Sequence, residues 1–209
     1  MKIRFTVCFS FLVIKYFVIY NRPVAVQHYI STDYPDGDAR IHPATTSEPL
    51  AIVGMAMRLP GGVNNAESFW DFLNSKEDGL CKVPECRYNV EAFCDPNKLG
   101  SVRTKYGYFL QDDPASFDNS FFSISGYEAS KLDPQQRLLL EVIWECMENG
   151  GQVGWQGKRI GCYVGVFGED WLDISSKDTQ AINRYHVLST GDFALSNRMS
   201  YEFDLHGPR

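Results

Sequence analysis

The stretch from Pro134 to Asn149, PQQRLLLEVIWECMEN, constrains the fold more than any other part of this chain. Leu138, Leu139, Val142, Ile143, Cys146 and Met147 recur at i, i+1, i+4, i+5, i+8 and i+9. That spacing draws two adjacent apolar stripes down one side of a helix, with Glu141, Glu145 and Glu148 off them. Asp133 is placed as the N-cap, Pro134 at the first helical position, and Gln136 at the capping-box position. Gly150-Gly151 supplies the stop. A face this wide needs a second layer against it, so the helix belongs inside a core. A core helix without chemistry accounts for every one of these residues.

The second layer is legible on both sides of it. Ala51-Ile52-Val53-Gly54-Met55 is a short apolar run leading into Arg58-Leu59-Pro60-Gly61-Gly62, a strand followed by a tight turn. Asn64 as N-cap with Glu67 three residues on predicts a helix start, and Phe69, Trp70 and Leu73 give it an apolar face. Residues 159–167, RIGCYVGVF, are β-rich, with small residues where neighbours can approach closely. Thr190 to Tyr201 reads as a further helix. Helix and strand alternating in this way predict a layered α/β arrangement, with 51–55 and 160–167 in a single sheet.

Composition separates the chain into two parts. Its 209 residues are 44% hydrophobic and 22% charged, enough for one domain with a real core. The formal charge of −6 is the wrong sign for a general nucleic-acid binder. Residues 1–22 carry Lys2, Arg4, Lys15 and Arg22 with no acid, whereas 48–209 carry 23 acids against 15 bases. Phe5 to Tyr20 is apolar but broken by Lys15, and it is shorter than the roughly 20 residues of a spanning helix. Two readings stand for residues 1–25: a signal or anchor, with Ala25 a poor cleavage site behind Pro23, or an apolar leader without an address. Residues 31–48, with two prolines and a glycine, form a linker. Residues 1–47 are therefore expected to pack poorly, as apolar leader and polar linker, and 48–209 to form the domain.

The residues that could carry chemistry are few. Cys8, Cys81, Cys86, Cys94, Cys146 and Cys162 include no CxxC pair, and no histidine stands at zinc-knuckle spacing from them. Cys146 and Cys162 lie in apolar runs and are expected to be buried; scattered thiols fit a reducing compartment. Pro60-Gly61-Gly62 lacks the spaced glycines and the lysine of a phosphate loop. No G-x-S-x-G and no H-E-x-x-H occurs. Asp112-Asp113 and Glu169-Asp170 are adjacent pairs that read as solvated turns. His186 and His206 have no nucleophile nearby in sequence, and His28 and His42 stand outside any catalytic spacing.

Several strings nevertheless occur together in order: Glu48–Ala56 with Arg58–Gly62, Tyr106–Leu110, Phe117-Asp118 with Phe121-Phe122 and Ile124-Ser125, Asp133–Glu141, and Ser196–Leu205 followed by Gly207-Pro208. In this arrangement the chain resembles the start of a β-ketoacyl synthase domain of a fungal-type iterative polyketide synthase. The resemblance spans nearly all of 48–209. It implies a thiolase-like layered α/β fold, of which this is the N-terminal half.

The resemblance also implies decarboxylative Claisen condensation, an acyltransferase chemistry. A cysteine carries the acyl chain as a thioester, and two histidines assist decarboxylation of malonyl held on an acyl carrier protein. The implied substrates are phosphopantetheine thioesters, and the implied partners are the carrier protein and a second copy in a homodimer. No nucleic acid, membrane, cofactor or metal is implied, and the expected location is cytoplasmic.

The chain departs from the family at its decisive point. The nucleophile lies in a T-A-C-S-S type motif shortly after the Gly-Pro that matches Gly207-Pro208, and here Arg209 follows instead. Both histidines of the family lie further on. No cysteine or histidine of this chain inherits a catalytic role, and no catalytic, cofactor-binding or metal residue is assigned. Met57, where a cysteine is common, and Gly126-Tyr127, where Pro-Arg is common, are lesser departures. The expectation is a truncated piece of a condensing enzyme, inactive as written. The alternative is a non-catalytic protein that binds a full-length synthase or a carrier protein.

Overall fold

The computed structural model describes residues 5–9, 12–20, 51–95, 97–166, 168, 170–177, 180 and 182–209, the first two stretches through their backbone only. Helix α4 (Pro134–Asn149) is its centre. Leu138, Leu139, Val142, Ile143, Cys146 and Met147 are all buried, as the double stripe predicts, and Leu140 and Arg137, beyond its margin, are buried as well. The helix is thus packed around more of its circumference than two stripes require. Asp133 caps it, accepting from the Gln135 N–H at 2.8 Å, with Pro134 in the first turn. Gln136 does not close a capping box. Its side chain turns away to donate to the Leu188 carbonyl at 2.9 Å, because burial places that carbonyl within reach.

Strand β3 (Ala51–Arg58) lies against α4. Contact is closest at Gly54, where a Cβ would run into the Cys146 carbonyl and stand 2.8 Å from the Gly150 nitrogen. Only a glycine lets backbone approach backbone this way. After β3 the chain turns through Gly61 (φ 85°) and Gly62 (φ 77°), closed by the Leu59 N–H donating to Val63 at 2.9 Å. Helix α1 (Ala66–Asn74) follows, capped one residue later than the sequence suggested. Asn65 accepts from the Ser68 N–H and Ser68 answers the Asn65 N–H, a reciprocal pair that Asn64 and Glu67 do not make.

The sheet that β3 joins differs from expectation. Strands β1 (Phe5–Phe9) and β2 (Leu12–Tyr20) form an antiparallel hairpin, and β2 pairs antiparallel with β3, giving the order β1-β2-β3. Residues 5–9 and 12–20, expected to belong to an apolar leader, thus take places in ladders. A run dense in β-branched and aromatic residues meets an open strand edge, and ladder hydrogen bonding follows. The linker, Ala25, His28 and His42 lie outside the described residues.

Residues 160–166, in turn, join no ladder among the described residues, and Phe167 lies outside them. The backbone of Ile160 and Cys162 bonds instead to Gly207 and Pro208. β propensity makes a strand only where a neighbour aligns its own N–H and C=O groups, and here a two-residue clasp takes that place.

A second sheet pairs β4 (Leu80–Lys82) with β5 (Tyr106–Tyr108), and short helices α2 (Val90–Phe93), α3 (Gly126–Lys131) and α5 (Asp170–Ser176) lie along the connections. The helix expected over 190–201 is two: α6 (His186–Thr190) and α7 (Phe193–Glu202). The break falls at Gly191, whose N–H closes α6 on the Val187 carbonyl. Helix α7 then packs on α4 through Leu195 and Met199, and Phe203 and Leu205 continue the same core. Among the described residues no helix is long and apolar enough to cross a membrane.

Candidate functional site

A cleft opens where α7 and the residues after it meet α4. Trp144 on α4 stands edge-on to Phe121 and to Trp155, and Phe121 is edge-on to Phe122. Phe122 also stacks on Phe117 at 5.3 Å. Stacked and perpendicular rings at these separations attract one another beyond the area they bury. The cleft beside them, of about 1020 Å³, is bounded by Phe121, Trp144 and Tyr201 on its apolar side and by Glu128, Arg198 and Glu202 on its charged side.

Arg198 organises the charged side. Its side chain is 11% exposed, 3.1 Å from Glu128 and 3.6 Å from Glu202. The Arg198–Glu202 pair is an i,i+4 spacing visible in the sequence; Glu128 is brought in by α3 packing near α7. Burial pushes the Glu202 carboxyl above its ordinary range, with Arg198 opposing it. Among the described residues, Arg198 Nε is buried without a hydrogen-bond partner. The cleft can hold a group with an apolar body, but no cysteine or histidine lines it.

The cysteines are spread out. Cys81 and Cys86 are exposed, Cys94 is half-buried, and Cys146 and Cys162 are buried, with none of these five in a disulfide. Burial of the last two is as the sequence predicts. Burial pushes the Cys162 thiol up to about 12, against the hydrogen bond with Ser200, so almost none is thiolate at neutral pH. A buried, protonated thiol is a poor nucleophile. His186 starts α6, and exposed His206 pairs with Asp204 at 2.8 Å. Of the acidic pairs, Asp112 lies 3.8 Å from Arg58 and Asp113 accepts from the Ala115 N–H. Glu169 lies outside the described residues.

Two features escaped the sequence reading. Asp133 is buried, and burial raises its carboxyl to about 6 despite the Gln135 N–H and Arg137. The other is the seat of Gly207-Pro208. The Gly207 N–H donates to Ile160 at 3.0 Å and Pro208 accepts from the Cys162 N–H at 2.8 Å. A Cβ on Gly207 would enter the Ile160 carbonyl group. The glycine itself was visible in the sequence; what it touches was not.

The family description for the β-ketoacyl synthase N-terminal domain matches residues 47–209. The highly reducing polyketide synthases gloL of Glarea lozoyensis and lcsB of Purpureocillium lilacinum are 57% and 58% identical, each over 164 residues. Those alignments cover 77% and 78% of this chain, which spans 6% of each synthase. Among solved structures, the oxazolomycin ketosynthase domain OzmH KS7 of Streptomyces albus is similar with a TM-score of 0.62 and 31% identity, over 75% of this chain and 28% of that one. The module 6 ketosynthase of the bacillaene synthase of Bacillus subtilis gives 0.58 and 29%, over 74% and 24%.

Proposed function

We propose, from the premise that this chain belongs to the β-ketoacyl synthase family through its N-terminal domain, that it supplies the scaffold half of a condensing site. The observation that carries this is the match over 47–209, at 57% identity to a highly reducing synthase. Identity spread over 77% of the chain favours a condensing-domain piece over a dedicated binding protein.

In the proposed reaction an acyl chain moves from a carrier-protein thioester to a cysteine thiolate. Malonyl on the carrier phosphopantetheine then loses carbon dioxide, and the resulting carbanion attacks the acyl thioester, expelling the cysteine. Such chemistry needs a thiolate beside donors for the developing oxyanion. The part of residues 47–209 is to fix the approach to that site. Gly207-Pro208, seated on Ile160 and Cys162, would set where a following nucleophile motif leaves the core. Helix α4, Trp144 and Trp155 pack in the same core as Ile160 and Cys162, on which that seat rests. Carrier protein and a second copy of the domain are the proposed partners, and the cytoplasm the proposed location.

No cysteine of residues 1–209 is assigned the nucleophile's role. Incubating the purified chain with acyl and malonyl thioesters should give no stoichiometric acyl adduct and no release of carbon dioxide. Peptide-mapped intact mass tells an acyl-enzyme from slow modification of Cys81 or Cys86. A stoichiometric adduct on one cysteine, with malonyl turnover, would overturn the assignment. Extending the chain after Pro208 with the corresponding sequence of a matched synthase should bring both activities in together.

A further inference from the structure

The apolar side of the cleft runs out onto the surface. Tyr201 is 81% exposed, Phe121 53% and Leu188 52%, and all three line the cleft. Val187, next to Leu188, and Phe193, at the start of α7, are exposed as well. Scattered apolar side chains are ordinary on a surface, but a group of them around one cleft marks an interaction face. The charged side is already served, since Arg198 is paired with Glu128 and Glu202. What fits the face is therefore the apolar surface of another polypeptide rather than a charged ligand. We propose that it seats the remainder of a ketosynthase domain, the polypeptide that follows Gly-Pro in the matched synthases, and that the 209-residue chain binds this remainder as a separate subunit. The proposal rests on the family reading above and adds to it an association in trans.

Two observations select that occupant. This chain covers 28% of the OzmH KS7 chain and 24% of the bacillaene module 6 ketosynthase, so most of such a domain has to find its place against the residues described here. Arg209, directly after the Gly207-Pro208 clasp, lines the cleft, so polypeptide leading on from the clasp begins at the cleft wall. Both clasp and face are formed within the 209-residue chain: the clasp by backbone hydrogen bonds to Ile160 and Cys162, the face by α6 on α7 and α7 on α4. A face formed in advance costs little ordering when it binds, which is what association without a peptide bond requires.

The test is co-expression of the 209-residue chain with a tagged remainder of the gloL ketosynthase domain, which then never has to fold alone. The chain should be recovered on the tag in equimolar amount. Leu188→Asp with Tyr201→Asp puts charge into the face at two exposed positions and should cut that recovery at least about tenfold. Leu99→Asp, at a site that is 92% exposed and does not line the cleft, should leave it unchanged. No recovery of the unaltered chain, or equal recovery of the two variants, would overturn the proposal.

In a second measurement, Tyr201→Cys is alkylated in the recovered complex and in the chain alone, with Cys81 and Cys86 as exposed references. Relative to those references, the complex should slow labelling at position 201 at least about tenfold. An unchanged rate would overturn the proposal. So would a rate already slow in the chain alone together with a dimer mass, which would give the face to a second copy. Acyl transfer by a chain extended covalently after Pro208, without co-recovery in trans, would overturn this proposal and leave the proposed function standing.

Discussion

The Arg58 guanidinium at the end of β3 forms a two-pronged ion pair with the Glu145 carboxylate on α4, 87 residues away, with Nη1 to Oε2 at 2.7 Å. Asp112 approaches the same guanidinium at 3.8 Å, tying the loop after β5 into the pair. The hydrogen bond to Glu145 is the largest influence holding the Arg58 pKa above its ordinary value, and burial opposes it. Arg58 is 13% exposed and Glu145 41%, so water screens one partner more than the other. Glu145→Ala should cost about 1–2 kcal/mol, less than a fully buried pair, by leaving Arg58 short of its partner. Urea unfolding of Arg58→Met, Glu145→Ala and the double variant should show the double nearer to wild type than additivity predicts.

Asp133 should make stability depend on pH in the direction opposite to most carboxylates. Its folded pKa of about 6 lies above the unfolded value near 3.9, so between those values the folded chain holds a proton that the unfolded chain has released. Its contribution is present below the unfolded value and is lost as pH rises through the folded one, by roughly 2–3 kcal/mol. Asp133→Asn keeps a capping side chain without the charge. Between pH 4 and 7, stability should fall less, or rise more, with pH in that variant than in wild type, as denaturation midpoints would read.

Gly207→Ala should open the seat on Ile160 by forcing a methyl into its carbonyl group. Overpacking of this kind costs about 1–3 kcal/mol. The accompanying sign is local. Cys162, buried and protonated, should alkylate far more slowly than Cys81 or Cys86 in the wild-type chain and markedly faster in the variant. Labelling rates at Cys162 that are the same in both would show that Gly207 does not hold this segment.

Ile143→Ala removes a side chain with no exposed surface at the centre of α4. The loss should be about 2–5 kcal/mol, because the surrounding layers cannot collapse onto the space. Glu148→Ala, one turn on and exposed, should change stability by less than about 0.5 kcal/mol. Thermal melts of the two variants compare the buried and exposed sides of one helix.

Helix α4, its Asp133 cap and the strand at β3 were legible in the sequence because each rests on local rules: a 3.6-residue period, a side chain reaching its own helix end, a run of apolar residues before a turn. The order of motifs from Glu48 to Pro208 likewise identified the family, although none of those strings shows a contact by itself. Tertiary structure decided what depends on a distant partner. Arg58 is an ordinary turn-flanking cation until Glu145 faces it. Residues 160–166 have β propensity but no aligned ladder, whereas 12–20 find one along β3. Asp133 is a routine cap until burial by α6 and its neighbours raises its pKa. Periodicity is written residue by residue, but hydrogen-bond partners and desolvation belong to pairs and layers, and these exist only once the chain has packed.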